Sequence, residues 1–371
     1  MPDLKVLLSP LPLFFLIVIA GLAIGKIRIY HVSLGIAGIL FAAIFAGFLM
    51  NRWISGAHIQ ILQSVQGTMN TLSKLGSSLF VSVIGLQTGF SVRNRSGESL
   101  ASLGVGAAMS TAGVLLERLI SALDPTIREP MLLGVLCGAL TSTPGLSSVC
   151  ELIDGQSGEA VWGYGCSYFC GVLFAVIFAR ALGGRQAGEQ PKKKTPATES
   201  KIHPEWILVS LPALLGGILG ETRVPILNFS LGSTTCTLLA GLVVGCVADR
   251  KQNAPRYSRQ VLNVFRNIGL AFFFAGTGYT TGTQAVNIWG KAVIYGASIT
   301  LTAILCGILL CRLAASRFRL RPGFVIAGGM TSSPAYGAIG TGDDEACVNH
   351  FSFAYFGAML ALMVAIQIIG R

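Results

Sequence analysis

Thr141-Ser-Thr-Pro-Gly-Leu146 is a polar stretch inside an otherwise apolar run, Met131 to Cys150. A similar stretch, Thr331-Ser-Ser-Pro-Ala-Tyr336, interrupts the apolar run Phe324 to Ile339. Hydroxyl residues followed by proline break a helix, and lipid could not satisfy the backbone groups that such a break frees. Breaks of this kind are tolerated where they line a cavity or are buried in protein. A pair of them at corresponding points of two half-chains is typical of a transporter binding site.

The chain around these stretches has the composition of a membrane protein. It has 371 residues, of which 52% are hydrophobic and 12% are charged, whereas a soluble domain has roughly 25% charged residues. Leu11 to Gly25 resembles a signal peptide, but many similar segments follow and no clean small-residue cleavage site does. The net charge of +11 comes from bases in loops between apolar runs. That pattern is typical of positive-inside topology rather than of nucleic-acid binding.

Apolar segments long enough to cross, or nearly cross, the roughly 30 Å hydrocarbon core occur in both halves of the chain. They lie at 11–26, 33–50, 71–92, 99–120, 130–150, 161–182, 206–221, 229–248, 264–284, 288–312, 322–340 and 350–370. We predict an all-α polytopic membrane protein with two homologous repeats of five to six transmembrane segments, each with a Pro-broken or re-entrant helix. The first repeat covers 1–182, a basic linker covers 183–205 and the second repeat covers 206–371.

The two halves carry matching motifs in the same order. Gly85-Leu-Gln-Thr-Gly89 matches Gly278-Tyr-Thr-Thr-Gly282, and Gly171 matches Gly357, with the broken stretches between them in each half. Only small differences in spacing separate the matches, so they indicate an internal duplication. Duplicated halves are a transporter architecture.

Lysine and arginine mark loops that face the cytoplasm. Two basic loops of the second half lie at 249–266, which includes Arg266, and at 312–321. If every second-half segment before residue 322 spans the membrane, both loops are on the same side of the membrane as the linker lysines. In the first half the bases divide almost evenly between the two sides: Lys26, Arg28, Arg93 and Arg95 against Arg52, Lys74, Arg118 and Arg128. Six crossings per half would make the repeats parallel, and five would make them inverted. Charge therefore leaves open whether the broken segment spans or turns back.

The polar groups inside the apolar segments are neutral. None of the sixteen Asp and Glu residues lies clearly in the middle of an apolar segment, which argues against an antiporter built on buried carboxylates. Hydroxyls, freed amides and the positive ends of half-helices suit an anionic group such as a carboxylate. The candidate substrate-binding residues are Gln87, Thr88, Thr141, Ser142, Thr143, Pro144, Thr280, Thr281, Thr331, Ser332, Ser333 and Pro334.

Several of these residues also have a simpler interpretation. The Gly-x-x-x-Gly motifs around Gln87 and Thr280 are equally well explained by close helix packing. Packing is also favoured for Tyr164, Tyr168 and Tyr355, with a role as site walls as the alternative. The nine cysteines show no Cys-x-x-Cys spacing, and neither a Ser–His–Asp nor a His-Glu-x-x-His set occurs. We therefore expect no enzyme activity, cofactor, metal or disulfide framework.

At these motifs the chain resembles the bacterial aspartate–alanine exchanger family, which also contains succinate exporters and many unassigned permeases. The resemblance rests on Gly85 to Gly89, on Gly-Ala-Leu-Thr-Ser-Thr-Pro-Gly145, on Gly163-Tyr-Gly-Cys-Ser-Tyr168 and on the second-half copies. It implies a secondary carrier with two inverted repeats, an extracellular N-terminus and a cytoplasmic linker. Typical members have soluble regulatory domains between the halves, where this chain has only the lysine-bearing linker.

The sequence and the resemblance together predict a secondary active transporter in the bacterial inner membrane. We expect it to exchange or export small carboxylates or amino acids such as aspartate, alanine or succinate, by alternating access. An ion-coupled carrier of a neutral or cationic metabolite is the alternative, and a channel or non-transporting scaffold a third. The expected partners are a small organic anion or amino acid and the lipid bilayer, with no nucleic acid. The glycine-rich stretch Gly35 to Gly47 would permit a homodimer.

Overall fold

The computed structural model is helical and repeats one order of elements. It describes residues 9–26, 28–29, 32–33, 36, 38–53, 59–91, 97–153, 157–183, 205–221, 232–250, 259–283, 289–339 and 345–369. The first-half helices are α1 Pro10–Gly25, α2 Gly38–Trp53, α3 Ile59–Ser91, α4 Gly97–Leu123, α5 Glu129–Ala139, α6 Thr143–Leu152 and α7 Ser157–Gly183. The second-half helices are α8 Glu205–Glu221, α9 Ser233–Arg250, α10 Arg259–Gly282, α11 Trp289–Ala314, α12 Pro322–Gly329, α13 Ser333–Ile339 and α14 Glu345–Ile369. The strands β1 (Arg28–Ile29) and β2 (Val32–Ser33) pair antiparallel between α1 and α2.

The prediction of an all-α polytopic membrane protein is confirmed. Five described helices are long and apolar enough to cross a membrane: α4, α7, α10, α11 and α14. Several shorter helices, α1, α2, α8 and α9 among them, are also apolar. Large aliphatic and aromatic side chains point outward from α1 and α8, including Phe15, Ile19, Trp206 and Leu214. Such outward apolar surface is suited to lipid. Nearly all of the predicted linker lies outside the described residues.

The helices pack as two bundles. The scaffold bundle consists of α1–α3 and α8–α10, in which α3 packs against α9 and α10, and α2 packs against α1 and α10. The core bundle consists of α4–α7 and α11–α14, in which α4 packs against α11 and α14, and α7 packs against α5, α11, α12 and α13. Each bundle takes the equivalent helices from both halves, so the two repeats are interlaced rather than side by side.

Equivalent helices of the two halves run antiparallel where they meet. Along α3 and α10, Gln87 pairs with Asn263 at one end, while Gly276 faces Met69 at the other. Along α4 and α11, Asp124 at the end of α4 binds Lys291 near the start of α11 at 2.7 Å. Toward the other end of this pair, Met109 of α4 contacts Gly307 of α11, and Gly97 lies near Phe318. A two-fold axis across these helices would relate the halves, which supports inverted repeats.

The second broken segment turns back instead of crossing. Gly323, at the start of α12, lies against the backbone of Gly183 at the C-terminal end of α7. Ile339, the last residue of α13, contacts the same Gly183. A straight segment of this length would separate these two ends by roughly 27 Å. Helices α12 and α13 therefore form a re-entrant hairpin that enters and leaves on one side.

The first broken segment has the same shape. Arg128, just before α5, pairs with Glu159 at the start of α7. Leu152 ends α6 only five residues before Ser157 starts α7, a distance of at most about 18 Å. A straight α5–α6 rod would be roughly 36 Å long. Both ends of the α5–α6 hairpin therefore lie near the start of α7, on the side opposite to the α12–α13 hairpin.

One detail differs from the sequence-based prediction. Helix α3 begins at Ile59, well before the expected residue 71, because its first turns are too polar to register as an apolar segment. Two glycines of the stretch that we expected to permit a homodimer pack within the chain: Gly38 lies against Gly21 and Gly25 of α1, and Gly47 against Tyr279 of α10. These two glycines bring helices of one chain together, and the homodimer stays a prediction.

Candidate functional site

The two hairpin tips have the same backbone conformation. In the first, the Thr141 amide donates to the Gly138 carbonyl and the Ser142 amide to the Cys137 carbonyl. In the second, the Thr331 and Ser332 amides donate to the carbonyls of Gly328 and Ala327. This pair of bonds defines a Schellman motif, which closes a helix with one left-handed residue after its C-cap.

Threonine occupies the left-handed position in both motifs. Thr141 has φ +54° and Thr331 has φ +46°, the two positive-φ residues other than glycine in the described part of the chain. Glycine is usual at this position because a Cβ clashes there, at about 1–2 kcal/mol for an ordinary residue. Backbone strain of this kind persists only where the surroundings enforce it and often marks a functional site.

The two threonines hold the tips together by reciprocal hydrogen bonds. The Thr141 hydroxyl donates to the Met330 carbonyl, and the Thr331 hydroxyl donates to the Leu140 carbonyl at 3.0 Å. Each acceptor is the C-cap residue of the opposite hairpin. The threonine side chains thus satisfy carbonyls that the breaks have freed. Both side chains are buried, so the hairpins meet inside the protein.

Polar side chains continue from the first tip. Ser142 caps α6, since its hydroxyl accepts from the Gly145 amide at 3.2 Å, and Pro144 behind it is buried. Thr143 is hydrogen-bonded to the Tyr164 hydroxyl at 3.1 Å. The ring of Tyr164 stacks on Tyr168, with centroids 5.1 Å apart. The start of α6, with the positive end of its dipole, is therefore next to a wall of tyrosines.

The second tip has a similar wall. Ser332 caps α13 through the Ala335 amide at 3.3 Å, and Pro334 is half-buried. The ring of Tyr336, two residues further on, lies 4.5 Å from that of Phe351, which is 5.7 Å from Tyr355. Ser333 begins α13, and its side chain is outside the described set.

The structure does not bring the other four candidates to the tips. Gln87 lies near the end of α3 and pairs with Asn263 at 3.0 Å, while the Thr88 hydroxyl donates to its own helix at Ile84. Thr280 and Thr281 lie near the end of α10 and both donate to the Thr277 carbonyl. The glycines of both motifs contact neighbouring helix backbones. These contacts favour the packing interpretation for both Gly-x-x-x-Gly motifs.

Hydrogen bonds link the core bundle to the scaffold at the first hairpin. Ser147 of α6 bonds to Ser77 of α3 and to Thr234 of α9. The Glu151 carboxylate, at the end of α6, accepts from the Ser233 hydroxyl at 2.6 Å and from the Thr234 amide at 2.9 Å. A carboxylate at the start of α9 is favourable for the dipole of that helix. These contacts connect a hairpin of one bundle to the other bundle.

Sequence reasoning missed two charged residues inside helices. Glu117 is fully buried in α4 and forms a two-bonded ion pair with its neighbour Arg118, although we expected acidic groups only at segment ends or in loops. Arg266 lies in α10 and is half-buried, although we counted it with the basic loop 249–266, which overlaps the apolar segment 264–284. Both charges were assigned to a segment end or a loop because each has other charged residues nearby in the sequence.

A helical membrane protein in which two re-entrant hairpins meet tip to tip has the architecture of a transporter. The chain belongs to the family described as "Predicted Permease Membrane Region" (Asp-Al_Ex), whose model matches residues 13–183 and 208–371. The resemblance to this family is thereby confirmed. The protein is a multi-pass membrane protein of a permease family, and membership of that family is consistent with the expected lack of enzyme activity.

Relatives from several bacteria carry transporter names. An uncharacterized transporter of Bacteroides thetaiotaomicron is 31% identical over 235 residues, which is 61% of this chain and 40% of that protein. A putative transport protein of Pectobacterium atrosepticum is 30% identical over 244 residues, 62% of this chain and 41% of the relative. An uncharacterized transporter of Corynebacterium glutamicum is 36% identical over 187 residues, 48% of this chain and 31% of the relative. The aligned part spans about two fifths or less of these proteins.

Proposed function

We propose that the chain is a secondary carrier that exchanges small carboxylates or amino acids across the bacterial inner membrane. The observation that carries this proposal is the reciprocal bonding of Thr141 and Thr331 between two hairpins that enter from opposite sides. A substrate bound beside the tips would be separated from each side of the membrane by one hairpin and the helices around it. Alternating access needs such a site between repeats of opposite orientation.

The hairpin geometry supports a definite orientation. With re-entrant broken segments, each half has five crossings, and the linker shares a side with Lys26, Arg28, Arg93 and Arg95. The basic loop 312–321 falls on the same side. The positive-inside rule places this side in the cytoplasm. The α5–α6 hairpin then enters from outside and the α12–α13 hairpin from the cytoplasm.

The boundary between the bundles is where we expect movement. Both tips and the tyrosines belong to the core bundle, which contacts the scaffold through α6 against α3 and α9 and through α7 against α10. Contacts such as Ser147 to Thr234 are hydrogen bonds, which exchange for water or substrate at modest net cost of about 1 kcal/mol each. Movement of the core bundle against the scaffold would expose the tips to one side and then to the other.

Counterflow into liposomes tests the proposal. The purified protein is reconstituted into liposomes that contain succinate, aspartate or no organic anion, and uptake of labelled succinate and aspartate is followed. We expect uptake only when an exchangeable anion is inside. Thr141→Val should lower the rate strongly, because it removes one of the two hydrogen bonds between the tips, while Thr111→Val, on an exposed face of α4, should not.

Each alternative predicts another result. Uptake that is independent of the internal anion but driven by a sodium or pH gradient would replace exchange with ion coupling. A steady conductance in planar bilayers would indicate a channel. Full activity of Thr141→Val would remove the tips from the substrate site and leave the transporter class unchanged.

A further inference from the structure

Arg266 is an unusual residue for its position. It lies in α10, which has a window apolar enough to cross a membrane, Val261–Gly282. Leu262 and Phe265 beside it are buried, and Arg266 itself is half-buried. A guanidinium in the bilayer region is costly by several kcal/mol, and such residues usually pair with another group or mark a substrate pathway.

The described residues provide no counter-ion for this guanidinium. The ion pairs among them involve Arg118, Arg128, Lys291 and His350. The Nε atom of Arg266 is shielded from solvent and has no hydrogen-bond partner in the described part of the chain. Leaving a buried donor of a charged group unsatisfied costs about 1–3 kcal/mol or more. A ligand that accepts hydrogen bonds would remove this penalty.

Arg266 lies on the face of α10 that is directed toward the core bundle. By the helical period it shares this face with Phe273 and Thr277, which are both buried. On one side of the face Gly269 packs on α3, and on the other the Thr281 carbonyl accepts a hydrogen bond from the indole N–H of Trp162 in α7. Helix α7 also carries Tyr164, which stacks on Tyr168 and reaches the first tip through Thr143.

We propose that Arg266 binds the carboxylate of the transported substrate, with Tyr168 and Tyr164 of α7 forming the wall along which the rest of the molecule lies. The planar guanidinium fork matches a carboxylate with two parallel hydrogen bonds, which an ammonium does not reproduce. The substrate is accordingly a small organic anion with at least one carboxylate. This inference rests on the proposed carrier function and identifies the chemistry of its site.

The same pairing accounts for obligatory exchange. When the bundles close around an empty site, the Arg266 charge loses water and gains no partner, which is strongly unfavourable. With a carboxylate bound, the charge is neutralised and the closed state becomes accessible. The empty carrier therefore returns slowly, and a loaded carrier passes in either direction.

Binding to the purified full-length protein tests this assignment. The probes are succinate, its neutral analogue succinamide, and inorganic phosphate, each followed by the thermal unfolding midpoint over a concentration series. The variants are Arg266→Gln and Arg266→Lys, with Arg180→Gln as the control, because Arg180 is exposed at the end of α7. We expect succinate, but not succinamide, to stabilise the native chain and the control.

Arg266→Gln should weaken succinate binding by about 10- to 100-fold, the range for hydrogen bonds to a charged group. Arg266→Lys should bind succinate with an affinity between those of the native protein and Arg266→Gln, because lysine keeps the charge and loses the paired hydrogen bonds of the guanidinium. If the glutamine variant does not fold, the lysine variant alone decides: succinate affinity equal to the native value would overturn the assignment. Stabilisation by phosphate alone would also overturn it, since the ligand would then be an oxyanion other than a carboxylate.

Counterflow separates the two proposals. If native protein and Arg266→Gln exchange succinate at the same rate and concentration dependence, Arg266 is not the recognition residue and the carrier function stands. If Arg266→Gln shows the expected loss of counterflow together with faster net efflux into anion-free medium, both the assignment and the closure argument are supported. If the native protein shows no counterflow with succinate or aspartate, the proposed function itself fails.

Discussion

Variants of the two tip threonines distinguish two contributions to stability: the strain of the left-handed backbone and the hydrogen bonds between the hairpins. Thr141→Val keeps the Cβ branching and removes the hydroxyl that donates to Met330. It leaves a buried carbonyl without that donor, which should lower the free energy of unfolding by about 1–3 kcal/mol. Thr331→Val should do the same through the Leu140 carbonyl.

Thr141→Gly loses the same hydrogen bond but also removes the strain. Relief of the left-handed conformation returns about 1–2 kcal/mol. Loss of the methyl group that lies against Gly171 costs about 0.8 kcal/mol. At the midpoints of these ranges the lost hydrogen bond and methyl group cost about 2.8 kcal/mol and the relieved strain returns about 1.5. The glycine variant should therefore be about 1.3 kcal/mol less stable than the native chain and still about 0.7 kcal/mol more stable than the valine variant.

The assay is unfolding in mixed micelles by titration with sodium dodecyl sulfate, followed by circular dichroism. Thr111 of α4 is the control, because its hydroxyl bonds within its own helix at Ala107 and its side chain is exposed. There the order should reverse: Thr111→Gly should be the less stable variant, since glycine is unfavourable inside a helix. A Thr141→Gly variant that is less stable than Thr141→Val would refute the argument from strain.

Three further outcomes follow from the described contacts. Gly134→Ala should prevent folding, because its Cβ would overlap a carbonyl of α7, whereas Gly67→Ala, with open space around it, should express normally. Cysteines at Ile153 and Arg321 should react with an impermeant maleimide from opposite sides of the membrane, since each lies at the base of a different hairpin; labelling from one side would contradict the re-entrant topology. The Asp124 carboxylate is bound by a lysine ammonium, which holds its pKa below the ordinary 3.8. The stabilisation by Asp124 is measured as the free energy of unfolding of the native chain minus that of Asp124→Asn. This difference should be constant above about pH 5 and should shrink as the pH falls below 3.8.

The sequence predicted the two helix breaks but not the direction that the chain takes after each of them. Proline after hydroxyl residues in an apolar run is a local signal, so Thr141 and Thr331 were identified without any tertiary information. Whether the chain then continues or returns depends on which helix the next turn packs against. Only the contacts of Gly183 with both ends of the second hairpin distinguish a hairpin from a span, and no local pattern encodes them.

Arg266 shows a different limit of sequence reasoning. It follows Arg256 and Arg259 closely, and a window of average hydropathy assigns such a cluster to a loop. Buried Leu262 and Phe265, however, lie on the inward face of the first turns of α10. Charged residues on one face of an amphipathic turn lower the average hydropathy without ending the helix. The helical spacing of the apolar residues, rather than their average hydropathy, would have indicated where α10 begins.

The two hairpins are equivalent in backbone but not in the contacts that hold them. In α6, Ser147 and Glu151 bond to the scaffold bundle, whereas Gly337 stands at the position that matches Ser147 in α13. The second hairpin instead places Ile339 against Gly183 within the core bundle. In the proposed cycle, opening the first side would break hydrogen bonds between the bundles that have no counterpart at the matching position of the second. An inverted repeat with identical halves would have two states of equal free energy, so we expect this difference in side chains to favour the state in which the first side is closed.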